Sequence, residues 1–485
     1  MEKKISTKTK KILIILFLIM TFVSASVIGA NDEVSGIWEG DLSGISLVFN
    51  LEFSADGSFQ ATMDSPDQGA MGIPVSNVLL NGSELKIEVG MINGFFEGKL
   101  NEEQQICEGV WSQNSYNIPL VLKKRKEGEG EINMRPQEPQ APYPYEEEEV
   151  SYMNIVARVK LAGTLTIPEG EGPFPAVLLI TGSGSQDRDE TIMGHKPFKV
   201  IADYLTRQGI AVLRVDDRGI GGSTGNPLIP TTADLAEDVV SGVEFLKGRP
   251  EINSKMIGLI GHSEGGIIAP MVAAHSDDLA FIVLMAGPGI PGDEIIMYQA
   301  EVIAKAEGIE GDELKKNLLL QRDLLDIVIE VEDDKKAAGE IRSILESMYA
   351  EMSEADKEIL ISVYGGIENY IEQTTEQLLL PWYRYFITYD PSPVLAEVHC
   401  PVLAINGSKD LQVEAGTNLL AIEEAFKKTG KKNYEIKEFP DLNHLFQHCE
   451  TGHPAEYGQI KETISPDVLE YIAKWIRKEI NELNK

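Results

Sequence analysis

The chain has 485 residues, 43% of them hydrophobic, and its 77 acidic against 43 basic side chains give a formal net charge of −34. That length exceeds one ordinary domain, so two or three units are expected. So acidic a surface, with no compensating basic cluster, repels phosphate backbones and excludes nucleic acid as a partner.

Lys3, Lys4, Lys8, Lys10 and Lys11 precede an uncharged apolar run at 12–23, and the small residues Ser24, Ala25, Ser26, Gly29 and Ala30 follow it. That order predicts a secretory signal over residues 1–30, and hence a secreted or extracytoplasmic protein with no stable membrane insertion once the signal is cleaved. An uncleaved anchor is the alternative, because the uncharged stretch 12–30 is about long enough to span a bilayer. No Cys stands near the cleavage region, which disfavours a lipid anchor. The chain's cysteines are Cys107, Cys400 and Cys449, an odd number that rules out a disulfide framework in an exported protein. Cys400 precedes one expected strand and Cys449 follows another, at opposite ends of a parallel sheet and too far apart to bridge, so burial as small apolar residues is expected.

Within 31–123 short runs alternate apolar and polar residues and are broken by Asp56-Gly57 and Asn81-Gly82. Period-two alternation with such turn pairs predicts antiparallel hairpins, a small β-barrel or sandwich with Trp38 and Trp111 in its core. Nothing in this unit has catalytic spacing. Residues 124–150 then carry Pro136, Pro139, Pro142 and Pro144 and a run of four Glu from Glu146 to Glu149, a composition that predicts an extended linker.

From 151 to 485 the pattern changes to apolar strands alternating with helices, the signature of βαβ units and a parallel sheet. Strands are expected at 175–181, 211–215, 256–260, 281–286, 402–405 and 434–439, and helices near 196–207, 232–247, 264–275, 414–428 and 465–483. Between the fourth and fifth strands an insertion at 293–390, rich in Leu, Ile, Glu, Lys and Ala at helical spacing, predicts a helical cap.

Gly261, Ser263 and Gly265 form a Gly-x-Ser-x-Gly pattern directly between an apolar strand and an apolar helix, where a sharp turn presents a serine hydroxyl as nucleophile. Gly221, Ser223 and Gly225 repeat the pattern but run into Pro227 and Pro230, which bar a helix, so Ser223 reads as a turn residue. A serine needs an imidazole to take its proton and a carboxylate to orient the imidazole. In the chain order Ser, acid, His the candidates are Asp410 and His444, each in the loop after a strand. Asp441 is nearer His444 but reads as a turn former. His448 and His453 lie in a polar loop and are expected to be exposed, and His195, His262 and His275 precede the acid. Leu445 stands where a zinc protease with the His444/His448 spacing would carry its Glu, so no metal site is supported. The oxyanion would be held by the backbone N–H of Glu264 and by that of Ser183 or Gly184 in the glycine-rich loop after the first strand. The aromatic run at the end of the cap, with Trp382, Tyr383 and Phe386, either lines an acyl pocket or simply packs.

Taken together, the run Gly-His-Ser-Glu-Gly-Gly from Gly261, the loop 182–190 and the segment 217–225 resemble those of bacterial α/β-hydrolase carboxylesterases related to prolyl oligopeptidases, over roughly residues 148–485. The resemblance implies an eight-stranded α/β-hydrolase sheet, a small-molecule ester substrate and no cofactor. Ser185 departs from it, since a proline often follows the second glycine of the oxyanion loop in such enzymes. Some relatives also carry a small β domain ahead of the hydrolase. The expected activity is hydrolysis of short to medium acyl esters through an acyl-enzyme. Two alternatives remain open, a serine peptidase or amidase and a non-catalytic binding protein.

Overall fold

In a computed structural model the chain is described over residues 34–483, apart from 43–45, 54–58, 66–69, 91–93, 102–104, 114–115 and 126–134. The expected signal segment lies outside the described residues.

The alternating runs form β1 (Gly36–Asp41), β2 (Ser46–Phe53), β3 (Phe59–Ser65), β4 (Ala70–Pro74), β5 (Asn77–Asn81), β6 (Glu84–Val89), β7 (Gly94–Asn101), β8 (Ile106–Gln113) and β9 (Tyr116–Lys124). They make one antiparallel sheet in the order β4-β3-β2-β1-β9-β8-β7-β6-β5, a half-barrel whose end strands are not paired with one another. Register sets Trp38 opposite Phe49 and Trp111 opposite Phe96, and all four aromatics are buried at its centre. Each aromatic pair occupies the inward-facing half of its strands, as period two requires.

Prolines and consecutive glutamates suggested a spacer to residue 150, and here the structure corrects the reading. Residues 135–144 lie on the second unit. The buried Arg135 donates to the carbonyls of Ile460 (2.8 Å), Met193 (2.7 Å) and Gly458 (2.9 Å). Gln137 donates to the Ile464 carbonyl (2.7 Å), and Glu138 pairs with Lys199 (2.9 Å). The glutamate run is the start of an edge strand, β10 (Tyr145–Asn154). Along it Glu148 meets Arg249 (2.6 Å) and Glu149 meets Arg188 (2.5 Å), so charges that look like a solvated spacer are matched by arginines distant in sequence.

β10 opens an eight-stranded sheet continued by β11 (Val159–Pro168), β12 (Phe174–Ile180), β13 (Ala211–Val215), β14 (Ile252–His262), β15 (Leu279–Met285), β16 (Val402–Gly407) and β17 (Tyr434–Phe439). The order is β10-β11-β13-β12-β14-β15-β16-β17; β11 is antiparallel to both its neighbours and the later strands are parallel. Because side chains alternate, Leu178 faces a core shared with α2 (Thr232–Lys247), α3 (Gly265–Ala274) and α11 (Ala415–Thr429). Val177 and Leu179 face the other core, against α1 (Pro197–Arg207) and α12 (Pro466–Leu483).

Between β15 and β16 the chain leaves the sheet for a cap of α4 (Gly292–Ala306), α5 (Gly311–Glu330), α6 (Asp334–Glu351), α7 (Glu354–Tyr364), α8 (Ile367–Leu378) and α9 (Pro381–Thr388), returning through α10 (Ser392–Glu397). The cap has its own core, including Leu324, Leu325, Ile341 and Leu378, which reaches down to Ile267 and Val413 of the sheet unit. Among the described residues no helix is long and apolar enough to cross a membrane. Cys107 is buried, Cys400 and Cys449 are partly so, and all three are free.

Candidate active site

β14 ends at His262 and α3 begins at Gly265, so the chain reverses within two residues. Ser263 takes φ +52°, a left-handed conformation strained for a residue with a Cβ. The turn is tight: a Cβ on Gly261 would stand 1.9 Å from the Gly265 carbonyl oxygen, and one on Gly265 2.3 Å from that of Ile180. Only glycine fits at either place. Ser263 is thereby set at the carboxyl edge of the parallel strands, facing a cleft of about 550 Å³ beneath the cap.

β16 and β17 are parallel neighbours, so the loops that follow them lie side by side. Asp410, in the first loop, is fixed by the N–H groups of Gln412 and Val413, both donating to Oδ1 at 2.8 Å. Its Oδ2 is 2.7 Å from Nδ1 of His444 in the second loop, and both side chains are buried. His444 lines the same cleft as Ser263. Asp441 pairs with Lys409 at 2.9 Å and sits at φ +59°, a turn residue. Ser223 is buried away from the cleft, its hydroxyl donating to the Asp216 carbonyl (2.8 Å) and accepting from the Ala162 N–H (2.8 Å).

The loop after β12 lies beside the Ser263 turn, because β12 and β14 are parallel neighbours, and lines the same cleft. The half-buried Asp217 ties its two ends, accepting from the Thr181 hydroxyl (3.0 Å) and the Gln186 N–H (2.8 Å); desolvation holds this carboxyl well above its ordinary pKa although both hydrogen bonds pull it down. The N–H of Ser263 is spent on the Met285 carbonyl (2.8 Å) and that of Gly182 on Glu190 (2.7 Å). Among the described residues no acceptor takes the backbone N–H of Glu264, Ser183 or Gly184.

Glu264 itself is wholly buried. Its carboxylate accepts from the Thr232 hydroxyl (2.7 Å) and from the Trp382 indole N–H (2.8 and 2.9 Å). Burial drives its pKa above the usual value, against hydrogen bonds from Thr232, Trp382 and Ser183 that lower it. The cap is therefore bonded to the residue that follows the nucleophile candidate. Trp382 and Phe386, one helical turn apart on α9 and stacked at 5.6 Å, both line the cleft. Tyr383, expected beside them, points about 100° away around the helix into the cap core. His453 also differs from expectation. It is partly buried, lines the cleft mouth and stands 3.9 Å from Glu307 of the cap, while His448 is exposed and pairs with Glu462.

Sequence reasoning set His262 aside on chain order and missed Glu190 entirely. His262 is buried directly before Ser263, with Nδ1 2.9 Å from Glu190 Oε1 and Nε2 3.0 Å from the His444 carbonyl. The signal for Glu190 was faint: an acidic residue closing the glycine-rich loop.

A strained serine between strand and helix, with a His–Asp pair carried after the last two strands of this sheet order, defines an α/β hydrolase. The chain belongs to the X-Pro dipeptidyl-peptidase (S15) family, whose profile matches residues 158–431. That match ends before His444. The chain is also similar to esterase EstD of Thermotoga maritima, 30% identical over 319 residues covering 66% of this chain and 66% of the relative. To esterase FrsA of Vibrio cholerae it is 30% identical over 141 residues, 29% of this chain and 31% of the relative. It thus spans just under two thirds of the one relative and less than one third of the other. Among solved structures, an esterase of Pyrococcus furiosus is 15% identical with a TM-score of 0.42, covering 69% of this chain and 91% of that one. For a dienelactone hydrolase of Anabaena variabilis the values are 17% and 0.36, covering 69% and 99%.

Proposed function

We propose that this hydrolase cleaves carboxylic esters of short to medium acyl chains, with Ser263 as nucleophile, His444 as base and Asp410 orienting the imidazole. The observation that carries the reading is the 2.7 Å bond between His444 Nδ1 and Asp410 in a cleft shared with the strained Ser263. With Nδ1–H donated to the carboxylate, Nε2 is left with a lone pair to take the Ser263 proton as Oγ attacks the ester carbonyl. The tetrahedral oxyanion is held by the N–H of Glu264 and that of Ser183 or Gly184, each worth about a hundred- to a thousand-fold in rate. Collapse expels the alcohol, which takes the proton back from His444 and leaves an acyl-enzyme on Ser263. Water, deprotonated by the same imidazole, then releases the acid and restores the serine.

Esters are favoured over X-Pro peptides by the character of the cleft. Ile192, Met193, Ile295, Ile296, Phe386 and Leu445 give it apolar walls suited to acyl chains. A dipeptidyl-peptidase must bind a free α-ammonium, and the cleft's carboxylates, Glu190 and Glu307, each already face an imidazole. The family match supports the peptidase as the second reading. Purified protein is expected to label with a fluorophosphonate, to lose labelling in Ser263→Ala, and to turn over p-nitrophenyl acyl esters far faster than Ala-Pro-p-nitroanilide. The reverse ranking would establish the peptidase, and an unlabelled, inactive wild type would leave a binding protein. We also infer export from the N-terminal segment; fractionation of the source cells, with sequencing of the mature N-terminus, tests it.

A further inference from the structure

We propose that Glu190 and His262 are positioning residues for this chemistry, Glu190 fixing the oxyanion loop at Gly182 and His262, as an imidazolium, fixing the backbone carbonyl of His444. The proposal rests on the Ser263/His444 reading above.

The geometry is a chain of hydrogen bonds across three separate segments. Glu190 Oε1 accepts from the Gly182 N–H (2.7 Å) and from His262 Nδ1 (2.9 Å), and His262 Nε2 reaches the His444 carbonyl oxygen (3.0 Å). Gly182 precedes the candidate oxyanion donors, His262 precedes the nucleophile, and the carbonyl belongs to the base itself. One imidazole therefore fixes the relative placement of all three parts of the site. Its state follows from its partners. A carbonyl can only accept, so Nε2 carries a proton; Glu190 acts on the ring as an anion and an ionised carboxylate can only accept, so Nδ1 carries the other. Glu190 holds φ +52°, a strained conformation that a turn-forming role alone would assign to Gly or Asn.

The surroundings agree with a charged ring. Burial opposes the charge on His262, but the Glu190 carboxylate, the His444 carbonyl and more distant Asp410 outweigh it, and the net shift is upward from the ordinary histidine value. The groups facing His262 are Glu190 from the oxyanion loop, Asp410 and the His444 ring, with centroids 4.8 Å apart, from the loops after β16 and β17, and the Phe446 ring at 6.5 Å.

The test compares His262→Gln, whose amide can still donate to the His444 carbonyl, with Glu190→Gln in the full chain. Both are expected to lower kcat on a p-nitrophenyl ester by about tenfold to a hundredfold with KM within a few fold, since misplacing reacting groups by about 1 Å has that effect. The discriminating readout is the acid limb of the kcat/KM profile. His262→Gln leaves the Glu190 anion unbalanced beside the base and moves the limb to higher pH, by about half a unit or more; Glu190→Gln removes the carboxylate that holds the ring charged, leaves no anion beside the base and does not move it up. A merely structural pair would shift neither limb, or both alike, and that result overturns the proposal. Nitrogen-15 NMR of the wild type decides independently of variant folding: His262 is expected to show protons on both ring nitrogens at pH 7, and a single-proton tautomer would refute it. If the wild type fails to label with fluorophosphonate, the esterase reading falls, while the NMR result still judges the state of His262.

Discussion

Asp441 stands three positions before His444 and Asp410 thirty-four, yet the distant carboxylate reaches the imidazole because β16 and β17 are parallel neighbours and deliver both loops to one edge. Asp410→Asn is expected to reduce turnover on the order of 10⁴-fold by presenting the wrong imidazole tautomer, whereas Asp441→Asn, at a side chain that pairs with Lys409 rather than with His444, is expected to be nearly silent in the same ester assay. The gathering of Ser263, Asp410 and His444 at one edge of the sheet was legible because each follows a strand and their chain order is fixed by topology. Glu190 and His262 were not: their partners lie in other segments, and no spacing in the sequence marks them. Their pairing also carries a pH signature. A histidine whose folded pKa is raised adds stability that is fully present below its unfolded value near 6.5 and is lost as pH rises through the higher folded value. The melting-temperature gap between wild type and His262→Gln is therefore expected to narrow from about pH 6 to about pH 9 in calorimetry; a gap that widens would show that the ring is buried neutral.

At the scale of elements, the cap's position in the chain was readable from its helical periodicity, but the face that α9 turns toward the cleft was not, since Trp382, Tyr383 and Phe386 are equally aromatic. Packing decides it: the cap core takes Tyr383, and the indole of Trp382 is drawn to the buried Glu264. Beyond Trp382 lies a second, smaller recess of about 40 Å³, lined among others by Gly184, Arg218, Leu228 and Leu380. Trp382→Ala is expected to join the two spaces and move the acyl-length optimum upward on an ester panel. Trp382→Phe keeps the wall but takes from a buried carboxylate the one indole N–H that its two oxygens share, and is expected to lower stability by about 2 kcal/mol with the optimum unchanged. An identical acyl profile for wild type and Trp382→Ala would put Trp382 outside the substrate's reach. The edge strand β10 went unread for a related reason: four successive glutamates show no alternation until the arginines opposite them are known.

For the molecule as a whole, the boundary between its two sheets lies ahead of Arg135. A chain starting at residue 134 is expected to keep its ester turnover within a few fold. One starting at residue 146 gives up Arg135, Gln137 and Glu138, leaves the carbonyls of Met193, Gly458 and Ile460 without this donor, and is expected to lose a few kcal/mol of stability in urea titration. Equal stability of the two would mean that the segment is a passive spacer after all. The two-sheet plan was readable from the switch between period two and strand–helix alternation; the true boundary was not, because it rests on one arginine whose partners are carbonyls more than fifty residues away.

That arginine also determines where mechanical load goes. Met193 lines one wall of the cleft, while Gly458 and Ile460 belong to the turn that carries Tyr457 on another, and Arg135 joins both from behind. Tension applied through the N-terminal sheet would reach these walls before it reached β10, so an enzyme tethered at that end and pulled would feel the strain first in the shape of its cleft and only afterwards in its fold.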